Sequence, residues 1–339
     1  MSGCLGVAGS YGINTAVAVE PSDVSPPCDP AVFDDNSERY EILSERIVYV
    51  DNVVGSRGLT GTLDPIANHL RPGARVVMGQ MLMEVGPYEL ANWLPRILGN
   101  DASGTTYTTT TDHELKPFDV LIKRDINTLL YRHCVVSSAM FQGREGTLDN
   151  PEQQVVRMGL SFIGVEEHCL DTAVTPAPLA WPDPEPSLPV DQRLFWLHGD
   201  SQLEMDNPTA TAYPIDAFNL MIDNKLVYKT RNTLRVNTMR SSGREIRLQT
   251  PTPYTADTHS KYYCDRFDGR GRLHFKGTKN LAGGAEEDWI TQFEFPRLYQ
   301  TLKTPTAAGR GEMPLALDLT AYRTATTEPI IITNQLVAP

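Results

Sequence analysis

Apolar and polar positions alternate along much of this chain. Phe118, Val120 and Ile122 fall on one side of a two-residue period, with Asp119, Leu121 and Lys123 on the other. Phe218, Leu220 and Ile222 alternate in the same way with Asn219, Met221 and Asp223. Val156, Met158, Leu160 and Phe162 do so against Val155, Arg157, Gly159 and Ser161, as do Met313, Leu315, Leu317 and Leu319 further on. The pattern predicts strands there and at 45–51, 75–85, 129–138, 192–198, 260–265, 272–276 and 288–296. Gly55-Ser56-Arg57-Gly58 and Asp268-Gly269-Arg270-Gly271 read as turns between them. The fold class expected is mainly β: two tandem antiparallel sandwich or barrel domains with one apolar face inward.

One stretch has a helical period. Gly86-Pro87-Tyr88-Glu89 sets proline in a first turn, with an acid beside the positive helix end. Leu90, Trp93, Leu94 and Ile97 form a stripe suited to covering a sheet face, and Gly99 supplies the stop. Pro95 is expected to kink or shorten this helix.

The strand pattern occurs twice, one hundred positions apart. Phe118 to Ile122 echoes Phe218 to Ile222, Val136-Ser137-Ser138 echoes Val236-Asn237-Thr238, and Gly143-Arg144-Glu145 returns as Gly243-Arg244-Glu245. An ungapped echo of this length suggests one unit present in two diverged copies. Gly-Arg-Glu itself reads as a hairpin turn, its glycine supplying positive φ and its charges solvated. Six prolines between Pro176 and Pro189 mark an extended linker. The expected organisation is an N-terminal arm at 1–36, β domains at 37–172 and 191–339, and a linker at 173–190. The arm, rich in Gly, Pro, Ser and Asp, is expected to dock on a neighbouring subunit.

With 339 residues, 40% hydrophobic and 21% charged, the chain is of globular composition and long enough for two cores. Forty-two acidic residues against 30 basic ones give a net charge of -12, which disfavours tight binding to nucleic acid. Five scattered cysteines (Cys4, Cys28, Cys134, Cys169 and Cys264) lack any C-x-x-C spacing, which argues against a disulfide framework or a zinc ribbon. There is no secretory pattern at Met1 to Gly6, no myristoylation glycine after Met1 and no apolar run long enough for a membrane span. A reducing cytoplasm is the expected place of synthesis.

Candidate chemistry reads as structure. His133-Cys134 and His168-Cys169 are adjacent pairs that each offer a single ligand to a common centre. Glu166-Glu167 and Glu286-Glu287-Asp288 read as solvated acids, and His198-Gly199-Asp200-Ser201 cannot form a triad within one turn. The glycines from Gly55 to Gly61 match no phosphate loop. Arg270, Arg272, His274 and Lys276 make a basic strand face beside Phe267 and Phe275, open to nucleic acid or to a subunit contact. No catalytic, cofactor or metal site is expected, and no enzymatic activity.

Several passages together resemble the siphophage tail tube proteins. They are Gly9-Ser10-Tyr11-Gly12, Gly58-Leu59-Thr60-Gly61 with the strand from Val76 to Glu84 and the helix from Pro87, Phe218 to Asn224 leading to Gly243-Arg244-Glu245, Phe293-Glu294-Phe295-Pro296, and Ile331 to Asn334. The resemblance implies two antiparallel β-sandwich or barrel tube domains, each with a short flanking helix, in a structural virion protein with no cofactor, which self-assembles into stacked rings forming a hollow tube for DNA. With two units per chain it implies a homotrimer ring of pseudo-sixfold symmetry. The partners implied are the tail terminator, tape measure and baseplate proteins, and the place is the phage tail. On that reading the arm and the Thr-rich stretch from Gly99 to Pro117 would bridge rings, ordered only on stacking, around an acidic lumen. Alternatives are a two-domain carbohydrate-binding or carbohydrate-cleaving β-sandwich protein, or another virion part such as a baseplate or head decoration protein.

Overall fold

The computed structural model describes residues 15–21, 38–40, 42–55, 70–124, 127–144, 155–169, 202–206, 210–214, 217–230, 234–253, 268–280, 286–301 and 314–337. The chain is mainly β, with a large antiparallel sheet and one helix among the described residues. The Pro-rich stretch and the expected strands at 192–198 and 260–265 lie outside them.

Seven strands form one continuous run of the sheet, each antiparallel to the next. Their order is Ser44–Gly55, Leu70–Glu84, Arg157–Gly164, Asn127–Arg144, Ala217–Asp223, Glu245–Pro253 and Pro314–Ala321. The two-residue period explains why they share one core. Met158, Leu160 and Phe162 are buried from one strand, Phe218, Leu220 and Ile222 from another, and Leu315, Leu317 and Leu319 from a third. A register slip of one residue would turn each of these triplets out to water, which fixes the pairing.

The helix α1 (Pro87–Leu98) packs on that apolar face. Gly86 N–H donates to the Glu89 carboxylate at 3.0 Å, and Gly99 ends the helix at φ 91°, the left-handed region that glycine enters freely. Pro95 lies inside the helix without ending it, and its carbonyl accepts from Gly99 N–H at 2.9 Å. Leu90, Trp93, Leu94 and Ile97 are buried as the stripe predicts. Trp93 sits between Tyr40 and Phe118, each ring centroid 5.3 Å away, and Phe118 in turn meets Phe162 edge-on. Burying each such ring stabilises the fold by roughly 1.5–3 kcal/mol.

The two halves of the sequence share this sheet and this core. Asn127–Arg144 pairs with Ala217–Asp223 from Arg144↔Ala217 to Ser138↔Asp223, and Phe141 touches Phe293 of Glu286–Gln300 in the shared core. The echo does not fall on like structure throughout. Val136 lies inside a long strand, whereas Val236 is buried in the irregular segment before Thr238–Ser241.

Asp268-Gly269-Arg270-Gly271 is the start of strand Asp268–Asn280 and not a turn. Its ladder with Glu286–Gln300 shifts register between Gly269 and Gly271, so the glycines accommodate a bulge while pairing continues. Within the expected arm, Thr15–Pro21 is a strand paired residue for residue with Phe118–Arg124 of the same chain. The stretch from Gly99 to Pro117 also packs on its own chain. Thr106–Thr108 pairs with Ile331 to Thr333, Tyr107, Thr109 and Leu115 are buried, and His113 meets the Ser241 carbonyl.

Candidate functional site

α1 packs on one face of the seven-stranded sheet, against Asn127–Arg144, and the opposite face carries the polar positions of the strand alternation. Its side chains line up in rows set by the register. One row runs Leu82, Gly159, Met140, Met221, Arg247 and Thr320. The next runs Glu84, Arg157, Gln142, Asn219, Gln249 and Asp318, a strip of amides with charges at both ends. Among the described residues, Arg46, Arg144, Arg157 and Arg247 on this face balance Glu84, Asp223, Glu245 and Asp318.

The sheet ends in two strands with open edges. Among the described residues no strand lies beyond Ser44–Gly55, and Pro314–Ala321 meets a further strand only where Leu319 to Ala321 pair with Leu298 to Gln300. The first edge is guarded at one point. Ile47 N–H donates to Glu45 Oε2 at 3.1 Å, and the Ile47 carbonyl accepts from Arg124 Nη2 at 3.2 Å. Arg124 grips both Glu45 oxygens at 2.7 Å. Side chains that occupy edge backbone groups discourage indiscriminate strand pairing.

Gly-Arg-Glu does not form the solvated hairpin turns expected of it. Gly143 lies within a strand, and a Cβ there would come 2.6 Å from the Phe218 ring. Gly243 lies in an open turn with nothing within 4 Å of an added Cβ, and neither glycine has positive φ. Arg244 is half-buried: Nε donates to Asn224 Oδ1 at 2.7 Å and Nη2 to the Leu98 carbonyl at 3.1 Å. Asn224, fully buried, donates to the carbonyls of Ile97 at 3.0 Å and Val136 at 3.2 Å. The pair thus satisfies carbonyls at the end of α1, where a cation also complements the helix dipole.

The other singled-out residues do not come together. His133 is half-buried at φ 50°, its N–H donating to Asp119 Oδ1 at 2.7 Å. Cys134 is fully buried, and burial pushes its thiol well above the ordinary range. His168 pairs with Glu166, which also holds Arg235. Arg270 pairs with Glu294, while Arg272 stands in register between Glu204 and Glu294. The basic strand face therefore has acids in register at Arg270 and Arg272, and glutamines beside His274. Among the described residues no group of three or more His, Cys, Asp or Glu side chains could hold a metal ion, and no helix is long and apolar enough to cross a membrane. His198 to Ser201 lie outside the described residues.

No protein-family model matches the chain, and no curated protein matches it.

Sequence reasoning missed Arg244 and Asn224 as a buried pair. Two of their acceptors, the Ile97 and Leu98 carbonyls, come from α1 over a hundred positions away, and nothing in the local pattern marks them.

Proposed function

We propose that this chain is a non-enzymatic structural subunit that assembles into stacked rings, forming the hollow tail tube of a long-tailed phage. The observation that carries the reading is the seam between Asn127–Arg144 and Ala217–Asp223. It joins the two halves of one chain side by side in one sheet, with helix cover on one face and open end strands at Ser44–Gly55 and Pro314–Ala321. Joining the end strands of neighbouring chains would repeat that seam and remove both edges, as closure of a sheet does in any barrel. Two tube units per chain, roughly 37–172 and 191–339, then give three chains per ring.

On this reading the open face lines the channel. Its four arginines and four carboxylates balance, so the acidic lining expected from net charge gives way to a neutral, amide-rich one. A surface without a basic excess has little affinity for phosphates and lets DNA slide. Assembly would begin in the host cytoplasm and end in the virion, with terminator, tape measure and baseplate proteins as partners. Electron microscopy of the purified protein tests the reading. Stacked rings with a central hole support it, and a monodisperse monomer at every concentration rejects it.

A further inference from the structure

Three distant segments close around one polar cleft of about 720 Å³. They are the loop at Thr109 to His113, the turn at Gly243 and Arg244, and the stretch from Tyr322 to Glu328. Ion pairs are already made in its walls. Glu328 accepts from Arg323 at 3.1 Å and from the Thr109 hydroxyl at 2.9 Å. Glu245 holds Lys225 at 2.6 Å, and Arg247 reaches Asp318 at 3.2 Å.

Arg244 is different. Its acceptors are Asn224 Oδ1, the Leu98 carbonyl and, at 3.5 Å, the Thr110 carbonyl, all of them uncharged. A guanidinium has five N–H donors in a fixed fork, so two are left over. Burial pushes its pKa down to about 10, against the opposing pull of Glu328. Among the described residues, Arg244 has no carboxylate in hydrogen-bond reach, and it lines a cleft open to solvent.

We propose that this cleft is a carboxylate-binding site centred on Arg244. The planar fork suits a carboxylate because two parallel N–H···O bonds can form at once. A carboxylate there would also return to the buried cation the counter-charge its neutral acceptors do not provide. The carboxylate can come from an acidic side chain of a second copy or from a free small diacid, and the chemistry of recognition is the same.

Succinate is the probe, titrated into the intact chain by calorimetry at constant ionic strength. Gly243→Glu is the informative variant, because a Cβ added there meets no atom within 4 Å and the position has no positive φ, so a competing carboxylate can be carried next to Arg244 at the cleft. Saturable binding by the wild type, weakened about tenfold or more in Gly243→Glu and in Arg244→Gln, is the expected result. Absence of saturable binding, or equal affinity in Gly243→Glu and wild type, overturns the proposal even if Arg244→Gln fails to fold. Sedimentation separates the two sources. If succinate and Gly243→Glu both weaken self-association, the carboxylate belongs to a second copy; binding with unchanged association assigns the site to a free diacid. Neither outcome depends on the tail-tube reading.

Discussion

Arg244 Nη2 donates to the Leu98 carbonyl across 146 positions of sequence, at 3.1 Å, and so ties the last turn of the only described helix to the second half of the chain. Asn224 completes the tie by accepting from Arg244 and donating to Ile97 and Val136. Removing Asn224 takes a donor from the Ile97 and Val136 carbonyls, and removing Arg244 takes one from Asn224 Oδ1 and leaves the Leu98 carbonyl with Thr110 N–H alone. Arg244→Ala and Asn224→Ala are each expected to cost about 2–3 kcal/mol in urea unfolding. Their double-mutant cycle should show coupling of at least about 0.5 kcal/mol, and simple additivity would refute the network.

The two glycines of the echoed motif should respond in opposite directions. Gly143→Ala drives a Cβ into the Phe218 ring and is expected to destabilise by roughly 1–3 kcal/mol. Gly243→Ala meets open space at an ordinary φ and is expected to be neutral or to stabilise by up to about 1 kcal/mol, through the unfolded chain. Equal unfolding midpoints for the two variants would contradict the assignment of unlike environments.

His133 gives the fold an acid-sensitive point. Burial, aided by Arg132 and opposed by Asp119, holds its pKa below the ordinary 6.5. The folded chain therefore takes up the proton less readily than the unfolded chain. This group's contribution is intact above 6.5 and declines as pH falls below it. Asparagine tolerates positive φ and does not titrate. His133→Asn should keep the fold near neutrality and lose less stability between about pH 7 and 5 than the wild type does. Parallel pH profiles would count against the burial of this imidazole.

Much of this architecture was legible in the chain, and the parts that were not share a cause. Alternation at 157–164, 217–223 and 314–321 marks true strands because one face of each lies on the core, while 118–122 is a strand buried on both faces. The helix was legible because Pro87 and Gly99 act locally. What escaped depends on partners far away in sequence. Thr15–Pro21 has a glycine- and proline-rich context and becomes a strand through its pairing with Phe118–Arg124 on one side and Glu38–Tyr40 on the other. Asp268 to Gly271 has turn composition, yet Glu286–Gln300 draws it into a bulged ladder. Arg244 looked solvated because the carbonyls it bonds come from α1 and the loop beyond.

Edge protection at Ile47 can be tested apart from any assembly. Arg124→Ala releases both the Ile47 carbonyl and the Glu45 carboxylate that accepts from Ile47 N–H. The variant is expected to associate at lower concentration than the wild type, and to form irregular aggregates, by light scattering. Identical concentration dependence would mean that the guard has no such role.

The central claim is that one chain supplies two neighbouring positions of a closed ring. Symmetry analysis of assembled particles by cryo-electron microscopy tests it most directly. Three chains per ring, with six similar lobes around a central hole, is the result predicted. Six chains per ring, or particles without a continuous hole, would contradict it.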